Sequence, residues 1–265
     1  MKKLLIFSTI SLLSLSACQS AIAPTTHAPV GAASFSPQNN PAHQAWQRAL
    51  IVYREMKDFT ADMDIWSAAR SFSVEERDQS TMAFRKPYSE RIDILQSADE
   101  MRRGMQLVYL GGDKVEILLA KNIPFLGRRF TLGISDNRLK TSRGWRIDQI
   151  DVPAIAKRIS QVGQLIEDAG EGSVGGRPVR FVKFFDTFRG IDPVVTHEVI
   201  GFDEQTGFLL SDEVYEGETR VFALALTNFK MDVGLPDSIF KLPPKSPEIS
   251  KTARSRDARN LIVHH

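Results

Sequence analysis

The sequence predicts an α+β domain built on an antiparallel sheet. Residues 59–65 alternate strictly between apolar and polar side chains, which is typical of a strand with one buried and one solvated face. Further alternating segments follow one another through short turns, and the two helical segments lie at or near the ends of the strand blocks. Strands and helices that occur in separate blocks favour an α+β arrangement over repeated βαβ units.

The first predicted helix begins after Asn40-Pro41, because asparagine is a good N-cap and proline is tolerated in the first turn. It is expected to end near Lys57, where the predicted strand 59–65 follows directly. Its apolar residues fall close to one stripe, which indicates one buried side. The residues of this stripe are Trp46, Leu50, Ile51 and Tyr53.

Turns join the strands of the first block. Pro87 within Lys86-Pro87-Tyr88 lacks the amide hydrogen that a sheet ladder requires, so this segment marks a turn at a strand end. Gly111-Gly112-Asp113 forms a second turn, suited to positive φ angles. The predicted strand segments around these turns are residues 81–84, 91–94, 107–109 and 115–118.

A second helix is predicted between Asp151 and Gly170. Asp151 is its expected N-cap, and Pro153 lies in its first turn. Four apolar residues share one helical face over this span, which indicates packing against the sheet. They are Ile155, Ile159, Val162 and Ile166.

The strands that follow Gly175-Gly176 are longer than those of the first block. Short turns at residues 203–207 and 216–218 separate the later strands, so these are expected to pair as an antiparallel meander. The predicted strands are residues 179–188, 194–202, 208–215 and 220–231.

Residues 1–17 are expected to be a lipoprotein signal peptide. Lys2 and Lys3 precede an apolar stretch at 4–15, which is shorter than the roughly 20 residues of a membrane-spanning helix. Leu15-Ser16-Ala17-Cys18 resembles the lipobox of bacterial lipoproteins, which implies cleavage before Cys18 and lipid on its thiol. The alternative is an ordinary secretory signal that ends at Ala17.

The mature chain is expected to be held at the cell envelope by this lipid. Residues 18–40 comprise the lipidated Cys18 and a segment rich in Ala, Thr, Ser, Asn and Pro, which indicates a flexible tether. Gln19 stands where many enteric lipoproteins carry an aspartate that retains them at the inner membrane. In a bacterium with two membranes, the expected location is therefore the outer membrane, facing the periplasm.

Composition and charge exclude a disulfide scaffold and a globally basic nucleic-acid binder. Cys18 is the only cysteine, so the stability of the domain depends on a buried core. The formal net charge is +2 and falls to zero without Lys2 and Lys3, so nucleic acid is not an expected partner. Residues 244–265 are proline-rich at their start, contain a local excess of basic residues and are expected to form a disordered tail.

Three segments together resemble the LolA/LolB-like superfamily of periplasmic lipoprotein-sorting proteins. They read YREMKDFTA at 53–61, FRKPY at 84–88 followed by YLGGDKV at 109–115, and VGLPDSIFKL at 233–242. The resemblance covers most of residues 44–243, and one domain is assigned to residues 41–243. It implies a strongly curved antiparallel sheet, an open half β-barrel, with helices that cover its concave mouth and enclose an apolar cavity for acyl chains.

The apolar residues of the alternating strands are the candidate lining of this cavity. A site for acyl chains requires large apolar side chains and no unpaired polar group. The alternative is that the same residues pack a solid core, as the inner face of a sheet usually does. The candidates are Phe59, Met63, Ile65, Phe84, Ile92, Ile94, Phe181, Phe185, Val199, Leu209 and Phe222.

Arg85 and Arg91 are the candidate contacts for lipid headgroups at the mouth, because a guanidinium group binds phosphate through paired hydrogen bonds. Arg128 and Arg129 are further candidates of the same kind. Ordinary ion pairs or exposure to solvent are the alternative for each of these four residues.

The sequence carries no motif of a known catalytic site. His197 is the only histidine well inside the domain, and no second histidine lies at a spacing typical of metal sites. A nucleophile elbow, a phosphate-binding loop and a dinucleotide fingerprint are also missing from the sequence. We therefore expect a protein that is not an enzyme and uses no metal and no cofactor.

The expected partners are the membrane and the acyl chains of a lipid or a lipoprotein, with an envelope protein as a further candidate. The expected function is to bind those chains during lipoprotein or lipid handling in the cell envelope. The alternative is a protein-interaction or envelope-stress sensing module with the same fold, because a fold does not by itself determine a function.

Overall fold

The structure is a computed structural model that describes residues 40–70, 75–123, 127–161 and 166–243. The predicted signal peptide 1–17, Cys18, all of the tether except Asn40, and the tail 244–265 lie outside the described residues. What the sequence predicts for those segments therefore stays a prediction.

The described residues form three α-helices, two short 3-10 helices and eleven strands. The helices are α1 (Pro41–Glu55), α2 (Ile147–Ile150) and α3 (Val152–Gln161), and the 3-10 helices are Asn137–Leu139 and Asp237–Phe240. The first strands are β1 (Asp58–Ser67), β2 (Glu76–Arg85), β3 (Ser89–Ser97), β4 (Gln106–Tyr109), β5 (Lys114–Ile123) and β6 (Gly127–Gly133). The later strands are β7 (Ile166–Val174), β8 (Arg177–Phe185), β9 (His197–Asp203), β10 (Leu209–Glu216) and β11 (Thr219–Met231).

All eleven strands belong to one antiparallel sheet, in the order β6-β5-β4-β3-β2-β1-β11-β10-β9-β8-β7. β1 joins the two halves, because it pairs with β2 on one side and with β11 on the other. β6 and β7 are the two edges, so the sheet of the described residues is open. The predicted α+β class with an open antiparallel sheet is confirmed.

The sheet curves strongly between β7 and β11. A methyl group placed on Gly175, in the turn between β7 and β8, would lie 2.8 Å from Cγ2 of Thr227 on β11. Since β9 and β10 separate β8 from β11 in the sheet, this contact requires the sheet to bend back on itself. Gly175 has a φ of +56°, and both this angle and the close approach favour glycine over any larger residue.

α1 packs on the sheet through buried small residues, and Trp46, Leu50 and Tyr53 of the predicted stripe pack, partly buried, against the same core. The Asn40 side chain accepts a hydrogen bond from the amide of Ala42 at 2.9 Å, which confirms the predicted N-cap. Ala42, Ala45 and Ala49 are the buried residues of the helix, whereas Ile51 is 46% exposed. Alanine allows the helix axis to approach β7 and β8 closely, because no side chain beyond Cβ stands between the backbones.

The second helix was predicted to extend to Gly170, and this prediction was wrong from Ile166 onward. Asp151 caps α3 as expected, since its Oδ1 accepts a hydrogen bond from the amide of Ala154 at 2.7 Å. Ile166 begins β7 and lies opposite Phe184 of β8. The ladder with β8 outweighs the helical spacing of the apolar residues there. Val162 lies outside the described residues.

The three helices cover one face of the sheet, which we call the helix face. Phe59 on β1 anchors the core, with ring centroids 5.2–5.7 Å from those of Phe84, Phe208 and Phe229. The segment before α2 contributes Trp145, whose ring lies 5.5 Å from that of Phe222 on β11. Burial of these large rings is the main contribution that holds the helices on the sheet.

The C-terminal segment, residues 232–243, lies over the opposite face of β3 to β6. Phe240 and Leu242 form a small cluster there with Val108 of β4. Arg129 of β6 donates hydrogen bonds to the carbonyl oxygens of Leu242 and Pro243 at 3.3 and 2.8 Å. The chain therefore covers both faces of this half of the sheet.

Candidate functional site

A cleft of about 710 Å³ lies between α1 and α3 on the helix face, and we call it the helix cleft. The two helices form its walls, and its floor is formed by Tyr88 in the turn between β2 and β3 and by Tyr109 at the end of β4. Most of its side chains are apolar or aromatic, with charged groups at the rim. The lining residues are Leu50, Tyr53, Arg54, Tyr88, Tyr109, Asp148, Pro153, Ala154, Ala156, Lys157 and Ser160.

The wall formed by α1 is held in place at the end of that helix. Lys86, in the turn between β2 and β3, donates hydrogen bonds to the carbonyl oxygens of Tyr53 and of Arg54, the latter at 2.8 Å. These carbonyls belong to the last turn of α1, which lacks intrahelical donors for them. The Lys86 ammonium also lies 4.8 Å from the centroid of the Tyr53 ring. The tyrosine is therefore fixed between the helix end and the turn.

Two tyrosines form the floor of the helix cleft. The rings of Tyr88 and Tyr109 meet edge to face, with centroids 5.0 Å apart. The Tyr109 hydroxyl donates to the carbonyl of Gly112 at 3.1 Å, and the Tyr88 hydroxyl donates to Asp151. Burial raises the pKa of Tyr109 to about 12 and that of Tyr53 to about 12, with nearby carboxylates adding to both. All three hydroxyls are therefore protonated donors near neutral pH.

Two buried carboxyl groups lie directly behind this floor. Burial raises the pKa of Asp151 to about 6, although the hydrogen bonds from Tyr88 and Ala154 oppose the rise. Glu90 is 1% exposed and lies opposite Tyr109 in the ladder between β3 and β4. Its two carboxyl oxygens have no hydrogen-bond partner among the described residues. Burial, with the charge of Asp151, raises the pKa of Glu90 well above its ordinary value, so it is neutral in the folded protein.

A buried ion pair ties α3 to the sheet below the cleft. The guanidinium of Arg158 donates to Glu198 of β9 and lies 3.4 Å from Asp212 of β10, and all three side chains are buried. The Arg158 guanidinium carbon is also 4.3 Å from the centroid of the Phe188 ring. Burial and the neighbouring charge of Glu198 raise the pKa of Asp212 well above its ordinary value. The single guanidinium group of Arg158 is thus shared by two buried carboxyl groups.

The rim of the helix cleft has an excess of positive charge. Asp148 is paired with Arg146 through two hydrogen bonds of 2.8 and 3.0 Å, so its charge is compensated. Arg54 is exposed on α1 and lies 3.6 Å from an equally exposed Glu55, which is a weak interaction in water. Lys157 is exposed on α3, and no contact of its ammonium is found among the described residues. Two cations thus face the cleft from opposite walls.

The candidate cavity residues on the helix face lie beneath the helices and not in the cleft. Phe59, Phe84 and Phe222 have no exposed surface, and none of the eleven candidates lines the helix cleft. The structure brings seven of them to one face, where they pack in the core or against it. They are Phe59, Met63, Ile65, Phe84, Ile92, Ile94 and Phe222.

Three candidates lie on the opposite face of the sheet, because the ladder register gives them the other side. Phe181 is 2% exposed and packs over Gly172 and Gly201, where a methyl group would lie 2.6 and 3.0 Å from its ring. Val199 and Phe185 follow the same alternation in β9 and β8. Leu209 is buried in the main core cluster. The side chains of these strands alternate between the two faces of the sheet, but this alternation alone does not define which face of the sheet the helices cover.

The arginines proposed for headgroups hold the C-terminal segment. Arg85 donates to the Leu235 carbonyl at 2.9 Å and to Asp237 at 2.6 Å. Arg91 donates to Asp93 at 2.9 Å and to the Ile239 carbonyl at 3.0 Å. Both guanidinium groups thus lie on the face away from the helix cleft. Arg129 also holds the C-terminal segment, because it donates to the Pro243 carbonyl. Arg128 donates to the Leu119 carbonyl of β5 at 2.9 Å.

His197 is a packed strand residue in this structure. Its ring stacks on Tyr215 with centroids 4.7 Å apart, and its Nδ1 lies 3.0 Å from the Thr196 hydroxyl. Within the described residues, no group of three or more His, Cys, Asp or Glu side chains is placed to hold a metal ion. In the same part of the chain, no helix has the length and apolar character needed to span a membrane.

Sequence reasoning did not assign the residues of the helix cleft to a site, and three of them are tyrosines. The chain has four tyrosines and sixteen phenylalanines, and Tyr53, Tyr88 and Tyr109 all line this one cleft. Each of them lies in a segment that carries the resemblance to lipoprotein-sorting proteins. That shared membership, together with the rarity of tyrosine, was the signal in the sequence that pointed to a common site.

No protein-family model and no curated protein matches the sequence. Solved structures do align with it. A LolA superfamily protein from Nitrosomonas europaea is similar at 14% identity and a TM-score of 0.37, over 76% of this chain and 97% of that chain. The lipoprotein LppX from Mycobacterium tuberculosis is similar at 10% identity and a TM-score of 0.44, over 73% and 96% of the two chains. A MucA/MucB complex from Pseudomonas aeruginosa is similar at 12% identity and a TM-score of 0.41, over 76% and 61%.

Proposed function

We propose that this chain is a lipid-anchored envelope protein that binds an acyl chain of a lipid or a lipoprotein in the helix cleft. The observation that carries the proposal is the cleft itself, with apolar and aromatic walls on two helices and a volume of about 710 Å³. Sites for small apolar ligands usually measure about 300–1,000 Å³ and combine apolar walls with a few polar groups. The resemblance of the sequence to lipoprotein-sorting proteins supports the same conclusion.

Burial of apolar surface drives this binding, and no chemical step is involved. Leu50, Pro153 and Ala156 offer apolar surface to a chain, and the hydroxyl of Tyr53 offers one hydrogen bond near the rim. Each buried methylene contributes about 0.8 kcal/mol, so a chain needs only part of its length in the cleft to be held.

The packed core defines how deep the ligand goes. Phe59, Phe84 and Phe222 are fully buried under the helices, so a chain in the cleft lies above them. These residues and the other candidates on the helix face contact a ligand only if α3 moves away from the sheet. The buried pair of Arg158 and Glu198 opposes that movement. The resting protein therefore holds its cargo in a shallow site.

The anchor places this site close to one membrane. The predicted tether from residue 19 to residue 40 has about 22 residues and reaches at most roughly 70–80 Å when fully extended. A protein held in this way receives or handles lipid locally and does not cross the periplasm. We infer the outer membrane as its location, because Gln19 follows Cys18.

Photo-cross-linking in cells tests the proposal with the full chain. Cells that express it are fed a photoactivatable fatty acid, and the cross-linked peptides are mapped by mass spectrometry. We expect cross-links in peptides of α1 and α3, separate from the peptide that carries acylated Cys18. Ala154→Phe fills the cleft and should remove most of them, whereas Ala98→Phe, at an exposed position in the loop after β3, should not.

Two results would overturn the proposal. One is a wild-type chain that is cross-linked only at the Cys18 peptide, which would favour the protein-interaction alternative. The other is equal cross-linking of α1 and α3 in both variants, which would place the chain elsewhere. Thermal unfolding of both variants is measured in parallel, so that a loss of folding is recognised.

A further inference from the structure

The rim of the helix cleft carries more positive than negative charge, and this bears on which amphiphile fits. Among its lining residues, Arg54 and Lys157 are cationic and Asp148 is the only carboxylate. Asp148 is bound in a two-point pair by Arg146, so it adds little negative potential. The rim therefore presents two cations from opposite sides.

The carboxyl groups behind the floor do not cancel this positive potential. Glu90 is neutral because it is fully buried, and it does not line the cleft. Asp151 is 5% exposed and is committed to the Tyr88 hydroxyl and the Ala154 amide. Both donors hold this carboxyl group behind the floor, and Asp151 does not line the cleft.

Lys157 is exposed at the rim, so its ammonium can bind a ligand in the cleft. It extends from α3 beside Pro153 and Ala154, and no acceptor for its ammonium is found in the described part of the chain. On the facing wall, Arg54 has only the exposed Glu55 at 3.6 Å. The apolar floor lies between them. This arrangement matches an amphiphile whose chain lies on the floor and whose head lies at the rim.

We infer that the helix cleft selects acyl chains with a compact anionic head, a phosphate or a carboxylate, bound between Lys157 and Arg54. Both heads are acceptors for ammonium and guanidinium donors, and an arginine binds either through two parallel hydrogen bonds. The Tyr53 hydroxyl is a third donor on the same wall as Arg54. The inference rests on the proposed function, because it names the class of ligand for the same site.

The test compares three probes that differ only in the head. The full chain is anchored in vesicles of zwitterionic phosphatidylcholine, which have no net charge, at pH 8. Each sample receives a photoactivatable sixteen-carbon chain that ends in a phosphate, a carboxylate or a hydroxyl. We expect wild type to be cross-linked in α1 and α3 about three- to tenfold more by either anionic probe than by the alcohol, as for two partly exposed ion pairs. The preference should fall at high salt.

Charge-reversal variants identify the residues. Lys157→Glu and Arg54→Glu should each reduce the preference for anionic probes and leave cross-linking by the alcohol unchanged. Lys230→Glu is the matched control, because Lys230 is an exposed cation on β11 that does not line the cleft. It should leave the preference intact. A preference for only one of the two anions would support the inference and identify the head.

The failure of this inference is distinguishable from failure of the proposed function. If all three probes cross-link α1 and α3 equally, the cleft binds acyl chains without discriminating between their head groups, and only the inference is overturned. The same holds if Lys230→Glu reduces the preference as much as Lys157→Glu does. If no probe cross-links α1 or α3, the proposed function fails and the inference fails with it.

Discussion

Arg158 of α3 and Glu198 of β9 form an ion pair that is buried on both sides, with 7% and 0% of the two side chains exposed. This pair connects a wall of the helix cleft to the sheet. A buried pair of this kind is expensive to break by removing one partner, because the other charge then stays in a medium of low polarity. The position of α3 therefore depends on one guanidinium group.

The first prediction concerns that guanidinium group. Arg158→Met should lower the free energy of unfolding by about 3–5 kcal/mol, because Glu198 is left as an uncompensated buried charge. Arg138→Met is the control, since Arg138 is 61% exposed and pairs with Asp136 at the surface. Its loss should be much smaller, because an ion pair exposed to water contributes little to stability. Urea unfolding followed by circular dichroism measures both, and equal losses would show that the buried pair has no special role.

The second prediction separates the two carboxyl groups that share Arg158. Burial holds Asp212 in its neutral form, so Asp212→Asn keeps its charge and shape and should cost less than about 1 kcal/mol. Glu198→Gln removes the carboxylate that accepts the hydrogen bond from Arg158, so it should cost about 3–5 kcal/mol. The same urea unfolding series compares them. A larger loss for the asparagine variant would reverse the assignment of the charge.

The third prediction is a dependence on pH. The pKa of Asp151 is raised from 3.8 to about 6, so between these values the folded chain keeps a proton that the unfolded chain has released. Its contribution to stability is therefore present at low pH and lost as the pH rises to about 6. Asp151→Asn removes this dependence. Its stability relative to wild type should rise by about 2 kcal/mol between pH 4 and pH 7.

Asp237 provides a control of opposite sign for that measurement. Its hydrogen bond and ion pair with Arg85 lower its pKa, so its stabilisation is present above 3.8 and is lost as the pH falls. Asp237→Asn should therefore lose stability relative to wild type as the pH rises. Chemical unfolding at pH 4, 5, 6 and 7 resolves both trends. The same sign for both variants would contradict the assignment for Asp151.

Much of the fold could be predicted from the sequence because its signals are local. Alternation defines strands such as β1, and Asn40 and Asp151 define two helix starts through hydrogen bonds to amides two or three residues away. The end of the second helix could not be predicted in this way. Ile166 continues the helical spacing, and only pairing with Phe184 on β8 makes it a strand residue.

The candidate site could be predicted from the sequence less well than the fold, for a related reason. Whether Phe222 lines a cavity or a core depends on Trp145, which is 77 residues away in the chain and packs on its ring. Likewise, Arg85 is a plausible headgroup contact until the C-terminal segment is seen to occupy it through Leu235 and Asp237. The volume of a cavity and the partners of a side chain depend on segments that are distant in the sequence, so a local sequence pattern does not predict them.

The fourth prediction tests the close packing of β9 against Phe181. A methyl group on Gly201 would lie 2.5 Å from the Ser211 hydroxyl oxygen and 3.0 Å from the Phe181 ring, both of which are buried. Gly201→Ala should therefore cost about 1–3 kcal/mol through overpacking. Gly190→Ala is the control, because nothing lies within 4 Å of its added methyl group. Thermal unfolding measures both, and a neutral Gly201→Ala would mean that the sheet relaxes freely there.

The last prediction concerns the C-terminal segment that covers the opposite face of the sheet. Phe240 is 4% exposed, packs in the cluster with Val108, and its ring centroid lies 4.9 Å from the guanidinium carbon of Arg85. Phe240→Ala should lower the free energy of unfolding by about 3–5 kcal/mol. It should also make residues 232–243 sensitive to protease before the sheet unfolds, since the arginine contacts alone hold the segment weakly. Val233→Ala is the control, because Val233 is 46% exposed. The prediction would be contradicted if the Phe240→Ala protein were not cleaved within residues 232–243 before the sheet unfolds.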